Sequence, residues 1–158
     1  MNDRSLRALP ARRIAAHIAD AAERWSDADF PPRVRATAAV EARLRYSTPV
    51  VEYALDRMFF GITASALEAA IASELGSFQA LDGFTARANA PAAWARGVDR
   101  ALIISSDTTI GVALVPAIFA LCAKCDVVVK DRSDALIAAF FASLAQEHPA
   151  FAGAARAQ

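Results

Sequence analysis

Residues 100–145 read RALIISSDTTIGVALVPAIFALCAKCDVVVKDRSDALIAAFFASLA: a strand, a polar turn, an apolar helix, a strand ending in lysine, and a second helix. This βαβα order constrains the fold more than any other feature, because parallel strands can be joined only through a long crossover, usually a helix. The turn Ser105, Ser106, Asp107, Thr108, Thr109 falls where the first strand feeds the helix. Open α/β sheets collect anionic ligands at such turns, since a helix N-terminus offers free N–H groups and a positive dipole end. The strands are expected at 98–104 and 126–130, with helices at 111–124 and 133–147, the last capped by Ser133. Val127, Val128 and Val129 form a continuous β-branched run, which predicts a strand buried on both faces under helices. Two or three strands cannot bury themselves that way, so the expectation is the first part of a larger α/β domain.

Upstream the pattern is helical. Pro10 suits a first-turn position, and Ile14, Ile18, Ala21, Ala22 and Trp25 recur at helical spacing. SDADFPP breaks that helix, and Val34, Ala38 and Leu44 continue the stripe in the next. Thr48 before Pro49 reads as an N-cap, followed by an apolar face of Val51, Leu55, Met58, Phe59 and Ile62. Ser65 and Glu68 have capping-box spacing, and Gly76 closes the helix that carries Leu67, Ile71 and Leu75. From 77 to 97 the signal weakens. Phe84, Thr85, Ala86 and Arg87 make at most a short strand, and 91–94 a turn or single helical turn. The organisation expected is a helical lead-in over 1–76 and a partial dinucleotide-binding α/β unit over 77–158, in one continuous domain.

Seventeen basic and seventeen acidic side chains give a formal net charge of zero, so no basic field exists to attract nucleic acid or an anionic membrane. The arginines near the start, and Arg33, Arg35, Arg43 and Arg45 after them, alternate with acids and read as solvated helix faces. MNDRSLRALPARR lacks the apolar core of a signal peptide. The uncharged run 110–123 is too short to span a bilayer and contains Pro116. A cytoplasmic chain with no membrane span and no nucleic-acid partner is expected.

The order of these weak motifs carries a resemblance. IISSDTTIGVALVPAIFALCAKCDVVVKDRSDALIAAFFASLA resembles the first βαβα unit of the aldehyde dehydrogenase superfamily, and more closely its fatty acyl-CoA reductase branch. LDRMFFGITASALEAAIASELG looks like that branch's helical lead-in, and EHPAFAGA like its closing helix. The resemblance implies a Rossmann-like cofactor-binding domain, an NADP or NAD cofactor and an acyl-CoA substrate. Lys130 matches the lysine that contacts the cofactor ribose in the superfamily; read alone, it is a solvated strand-end lysine. Ser105, Ser106, Asp107 and Thr108 match the turn beside it. Asp107 stands where the family has an asparagine that stabilises an oxyanion, a role a carboxylate cannot fill unless protonated. Asp107 or Thr108 serves equally as a simple helix cap. Lys130-Asp131-Arg132-Ser133 departs from the family's lysine-proline-serine. Arg132 either faces a 2′-phosphate, favouring NADPH, or pairs with Asp131 or Asp134.

The family's nucleophile is a cysteine in a downstream catalytic domain, and neither Cys122 nor Cys125 matches it. Their C-x-x-C spacing closes a helix instead of opening one, so the helix dipole does not lower the thiol pKa. With only His17 and His148 in the chain, no zinc-ligand spacing is present. Both cysteines read as structural. The leading expectation is the N-terminal part of an oxidoreductase that reduces acyl-CoA to aldehyde, inactive alone, and self-associating or docking a missing C-terminal half. The other reading is a non-catalytic chain that binds a nucleotide or a partner through its sheet edge.

Overall fold

The structure, a computed structural model, describes residues 5–106, 108–130 and 135–157. Its elements are six α-helices and two small sheets, with the helices leading and the larger sheet closing the chain. The fold is mixed α/β.

Helix α1, Ala11–Trp25, buries Ile14, Ile18, Ala21, Ala22 and Trp25 as the spacing predicts. It is the central helix, touching α3, α4, α5 and α6. Pro10 lies one position earlier than expected, at the N-cap. Proline has no side-chain acceptor, so the cap comes from elsewhere. The Ala11 N–H donates to both carboxylate oxygens of Asp82, at 3.0 and 3.2 Å, and Lys124 Nζ pairs with the same carboxylate at 2.6 Å.

Helix α2, Pro31–Leu44, departs from the expected stripe. It buries Arg33, Ala36 and Val40, while Val34 and Ala38 are exposed. Arg33 is therefore no solvated arginine. Its guanidinium donates to the Trp25 carbonyl at 2.9 Å, closing the end of α1, and to Asp56 at 2.6 Å. Helix α3, Thr48–Phe60, has Ser47 at its N-cap, with Pro49 in the first turn. Helix α4, Ala64–Leu75, is capped by Thr63, whose Oγ1 accepts from the Ala66 N–H at 3.1 Å. The box expected at Ser65 and Glu68 thus lies inside the helix. Gly76 ends α4 at φ +79°, a left-handed conformation that glycine adopts at no steric cost.

Strands β1, Thr85–Arg87, and β2, Ala90–Ala93, form an antiparallel hairpin, which replaces the turn or helical turn expected at 91–94. Proline is tolerated there because the strand lies at a sheet edge. Strands β3, Arg100–Ile104, and β4, Asp126–Lys130, are adjacent and parallel, in register from Arg100↔Asp126 to Ile104↔Lys130. Helix α5, Leu114–Cys122, connects them and is shorter at both ends than the expected 111–124. Helix α6, Leu136–Glu147, follows, with Ala135 at its N-cap; the expected cap Ser133 lies outside the described residues. The expected closing helix is a 3₁₀ turn at Pro149–Phe151, followed by β5, Ala155–Ala157, a third parallel strand on the far side of β4.

One face of this sheet is closed. Val127 and Val129 are buried, with Ala101, Ile103, Ala155 and Ala157 packed beside them on the helical core. On the other face Leu102 and Ile104 are 62% and 74% exposed, and Val128 is half-buried. The valine run is thus covered on one side, not both, within the described residues. No single helix among these residues is long and apolar enough to cross a membrane.

Candidate functional site

Parallel pairing brings the C-terminal ends of β3 and β4 side by side. The Ser105 N–H donates to the Lys130 carbonyl at 2.9 Å, carrying the ladder one step past the strands. The next residues are held by their own hydroxyls. Ser106 Oγ accepts from the Thr108 N–H at 3.2 Å and lies 2.8 Å from Thr108 Oγ1, while Ser105 Oγ donates to the Ser106 carbonyl at 3.1 Å. Tyr46, just before α3, donates its hydroxyl to the Thr108 carbonyl at 3.3 Å. Ser106, Thr108 and Lys130 are exposed and Ser105 half-buried. Four of the sequence-predicted residues therefore lie along one edge. Asp107 and Arg132, the other two, lie outside the described residues.

The helix that follows does not begin at the turn. Residues 110–113 intervene before α5 starts at Leu114, and its N-cap, Ala113, makes no side-chain cap. Gly111 turns the chain there at φ +60°, and a Cβ on it would meet Met58 Cε of α3 at 2.3 Å. The Leu114 N–H is already bonded to the Gly111 carbonyl at 2.9 Å, and Pro116 has no N–H to offer. The expected anion seat on the helix N-terminus is thus displaced from residues 105–109. Among the described residues the turn and the adjoining strand end present a set of hydroxyls and one ammonium, groups that bond sugar hydroxyls or a single phosphate.

The cysteines are remote from this edge. Cys122 ends α5 fully buried, and burial pushes its thiol up to about 12. Cys125 is buried before β4, and burial raises its thiol as well, against the nearby Arg7 charge. Both are free. A thiol with a raised pKa and no solvent access is a poor nucleophile.

Concave surface is found elsewhere. A hollow of about 350 Å³ between α4 and α5 is lined by Ile71, Leu75, Leu81 and Phe119. A smaller one, about 110 Å³, lies among Arg7, Trp94, Arg96 and Lys124, beside the N-terminal ends of the strands. Neither reaches Lys130. A second gathering of chemistry-bearing groups was hidden in the sequence: His17, Asp20 and His148 place one ligand atom each within 4.8 Å of one another. The i, i+3 spacing of His17 and Asp20 was a visible signal, but their partner comes from the far end of the chain.

A family model described as Acyl-CoA reductase (LuxC) matches residues 6–150, from the first turn to the end of α6 and just beyond. No curated protein matches the chain. With that match spanning the helical core, β3, β4 and the polar edge between them, the chain belongs to the acyl-CoA reductase (LuxC) family.

Proposed function

We propose that this chain supplies the cofactor-binding part of an enzyme that reduces an acyl-CoA thioester to an aldehyde. In this reading the chain belongs within the aldehyde dehydrogenase superfamily, β3–α5–β4–α6 being the first unit of its Rossmann-like domain. The observation that carries it is the juxtaposition of Ser105 and Lys130 on two adjacent parallel strand ends, within the family match.

The residues fit one end of a nicotinamide dinucleotide. Lys130 offers an unburied ammonium, and Ser106 and Thr108 offer hydroxyls on the same edge, a donor set for a ribose and its phosphate. The displaced start of α5 supports this end over the pyrophosphate, which takes its usual seat on a helix N-terminus. The cofactor of this reading is NADP or NAD; Arg132, outside the described residues, would favour NADPH only if it faces a 2′-phosphate instead of pairing with Asp131 or Asp134. Asp107 cannot donate to an oxyanion while ionised, which leaves the Ser105, Ser106 and Thr108 hydroxyls as the donors on this edge. The bound nicotinamide supplies the hydride.

The acyl-enzyme requires a thiolate. Cys122 and Cys125, the sequence's two cysteines, are buried with raised thiols, which supports a nucleophile lying outside this sequence and a chain that is inactive alone. The open face at Leu102 and Ile104 is where the remainder of the enzyme, or a second copy, would pack. The absence of a reactive cysteine also favours a second reading, a non-catalytic chain that binds a nucleotide.

Calorimetric titration of NADPH and NADH tests the site. Binding is expected to be weak, with a Kd near the millimolar range, about −4 kcal/mol. It is lost in Lys130→Ala and retained in Cys122→Ala and Cys125→Ala. Unchanged affinity in Lys130→Ala would make that residue a solvated strand end and remove the proposal.

A further inference from the structure

His17 and His148 meet ring to ring, with centroids 3.6 Å apart and planes inclined by 29°. His17 lies on α1, and Asp20 follows at i+3, which puts both side chains on one face of the helix. His148 is the C-cap of α6, immediately before the turn into β5. Nδ1 of His17 and Nε2 of His148 are buried and have no hydrogen-bond partner in the structure. Buried polar atoms are almost always satisfied, so two orphaned nitrogens in stacked rings require an explanation. Phe151 closes another side of the cluster, 6.4 Å from each ring.

We propose that His17, Asp20 and His148 bind a divalent first-row cation, Zn²⁺ by preference, which clamps α1 to the junction of α6 and β5. Two imidazoles and a carboxylate are a borderline-soft set, and three protein ligands leave a fourth position for water. The ligand atoms already lie within 4.8 Å of one another. Tetrahedral coordination brings neighbouring ligand atoms to roughly 3.3 Å apart at normal zinc bond lengths. To ligate one ion the stacked rings must swing apart until both lone pairs converge on it, and the exposed Asp20 closes from the solvent side.

The surroundings are mixed in charge. Burial first, then neighbouring positive groups, lower both histidines below their ordinary value, with Asp20 acting against the drop. Neutral imidazole is the form that ligates metal. Arg13 and Arg24, the latter ion-paired with Glu147, are the opposing charges. Arg13 is exposed, so water and salt screen it. The cluster sits at the C-terminal end of α6, away from Lys130, and does not depend on the cofactor proposal.

The test uses the whole chain, stripped with EDTA and titrated with ZnCl₂ by calorimetry and CoCl₂ by visible absorption. One equivalent should bind with a Kd of about 10 µM or tighter, giving the intense visible bands of four-coordinate cobalt and a higher melting temperature with zinc. His17→Gln and His148→Gln should each weaken binding by about tenfold or more. Asp20→Asn alters an exposed side chain and keeps the test valid if a histidine variant fails to fold; it should weaken binding about threefold or more. Cys122→Ala should change nothing. If the folded parent shows no saturable binding, or if Asp20→Asn and His148→Gln both bind as the parent does, the cluster is only a stacked pair of neutral histidines.

Discussion

Around Trp25 the side chains of Phe59 and Phe140 are enclosed, whereas on the sheet Leu102 and Ile104 stand 62% and 74% exposed. Trp25 packs against Phe59, Phe140 and Phe30 at ring separations of 5.2, 5.8 and 6.0 Å. Its indole N–H donates to Ser143 Oγ at 2.9 Å, and the Ser143 hydroxyl donates to the Phe140 carbonyl at 2.8 Å. The two polar groups carried into this core are satisfied, since Arg33 closes α1 and meets Asp56. The sheet is built differently. Its inner face shares the helical core, its outer face has no cover among the described residues, and its polar turn is exposed at the strand ends. Burial is therefore concentrated in the helices, and the open polar and apolar surface lies on the sheet.

The sharpest way to break this contrast is to cut into the enclosed side. Trp25→Ala removes the largest fully buried side chain and leaves the Ser143 hydroxyl without its donor; it should cost about 3–5 kcal/mol in urea unfolding. A loss below about 1 kcal/mol would mean that the aromatic cluster is not the centre of the core. The Arg33–Asp56 pair comes next. Arg33 is 2% and Asp56 60% exposed by side chain, yet Asp56→Ala should cost about 2–4 kcal/mol because it strands a buried guanidinium. If Asp56 proves neutral, the pair is an ordinary surface contact and Arg33 is held by the Trp25 carbonyl alone.

Cys122 sharpens the comparison by pH. Its thiol ionises at about 12 when folded and near 9.0 when exposed, so between those values the unfolded chain binds fewer protons than the folded one. Stability should then fall as pH rises, by up to about 1.4 kcal/mol per pH unit from this group. Cys122→Ala should flatten that alkaline slope, and an unchanged slope would show that the thiol is accessible. The smallest effect is expected on the open face. Leu102→Ala should change stability by no more than about 0.5 kcal/mol. A cost of about 2 kcal/mol would reveal that the face is already covered, for instance by a second copy.

What the sequence showed and what it hid follow from the range of the forces involved. β3 and β4 were legible because β-branched runs bounded by polar turns point to strands from local residues alone. β5 was not, since alanine and arginine carry no strand preference and the strand exists only because β4 offers it an edge. The start of α1 was misread because its cap, Asp82, lies 71 residues away; the start of α4 was misread by two residues, since Thr63 and Ser65 are both good local caps and Thr63 is the one used. The burial of Arg33 was invisible because its reason, the Trp25 carbonyl, belongs to the end of another helix. The polar edge at Ser105, Ser106, Thr108 and Lys130 was readable because strand-end chemistry is local to the motif. The meeting of His17 with His148 was not readable, since it depends on α1 packing against α6.

The central claim is that the ends of β3 and β4 form the ligand edge, while the helical core only supports them. Backbone amide NMR on the isotopically labelled chain, titrated with NADPH, tests this residue by residue. The account predicts shifts at Ser105, Ser106, Thr108 and Lys130, and none around Trp25, Phe59 and Phe140. Shifts centred on Ile71, Leu75 and Phe119 between α4 and α5, or no shift at millimolar cofactor, would contradict it.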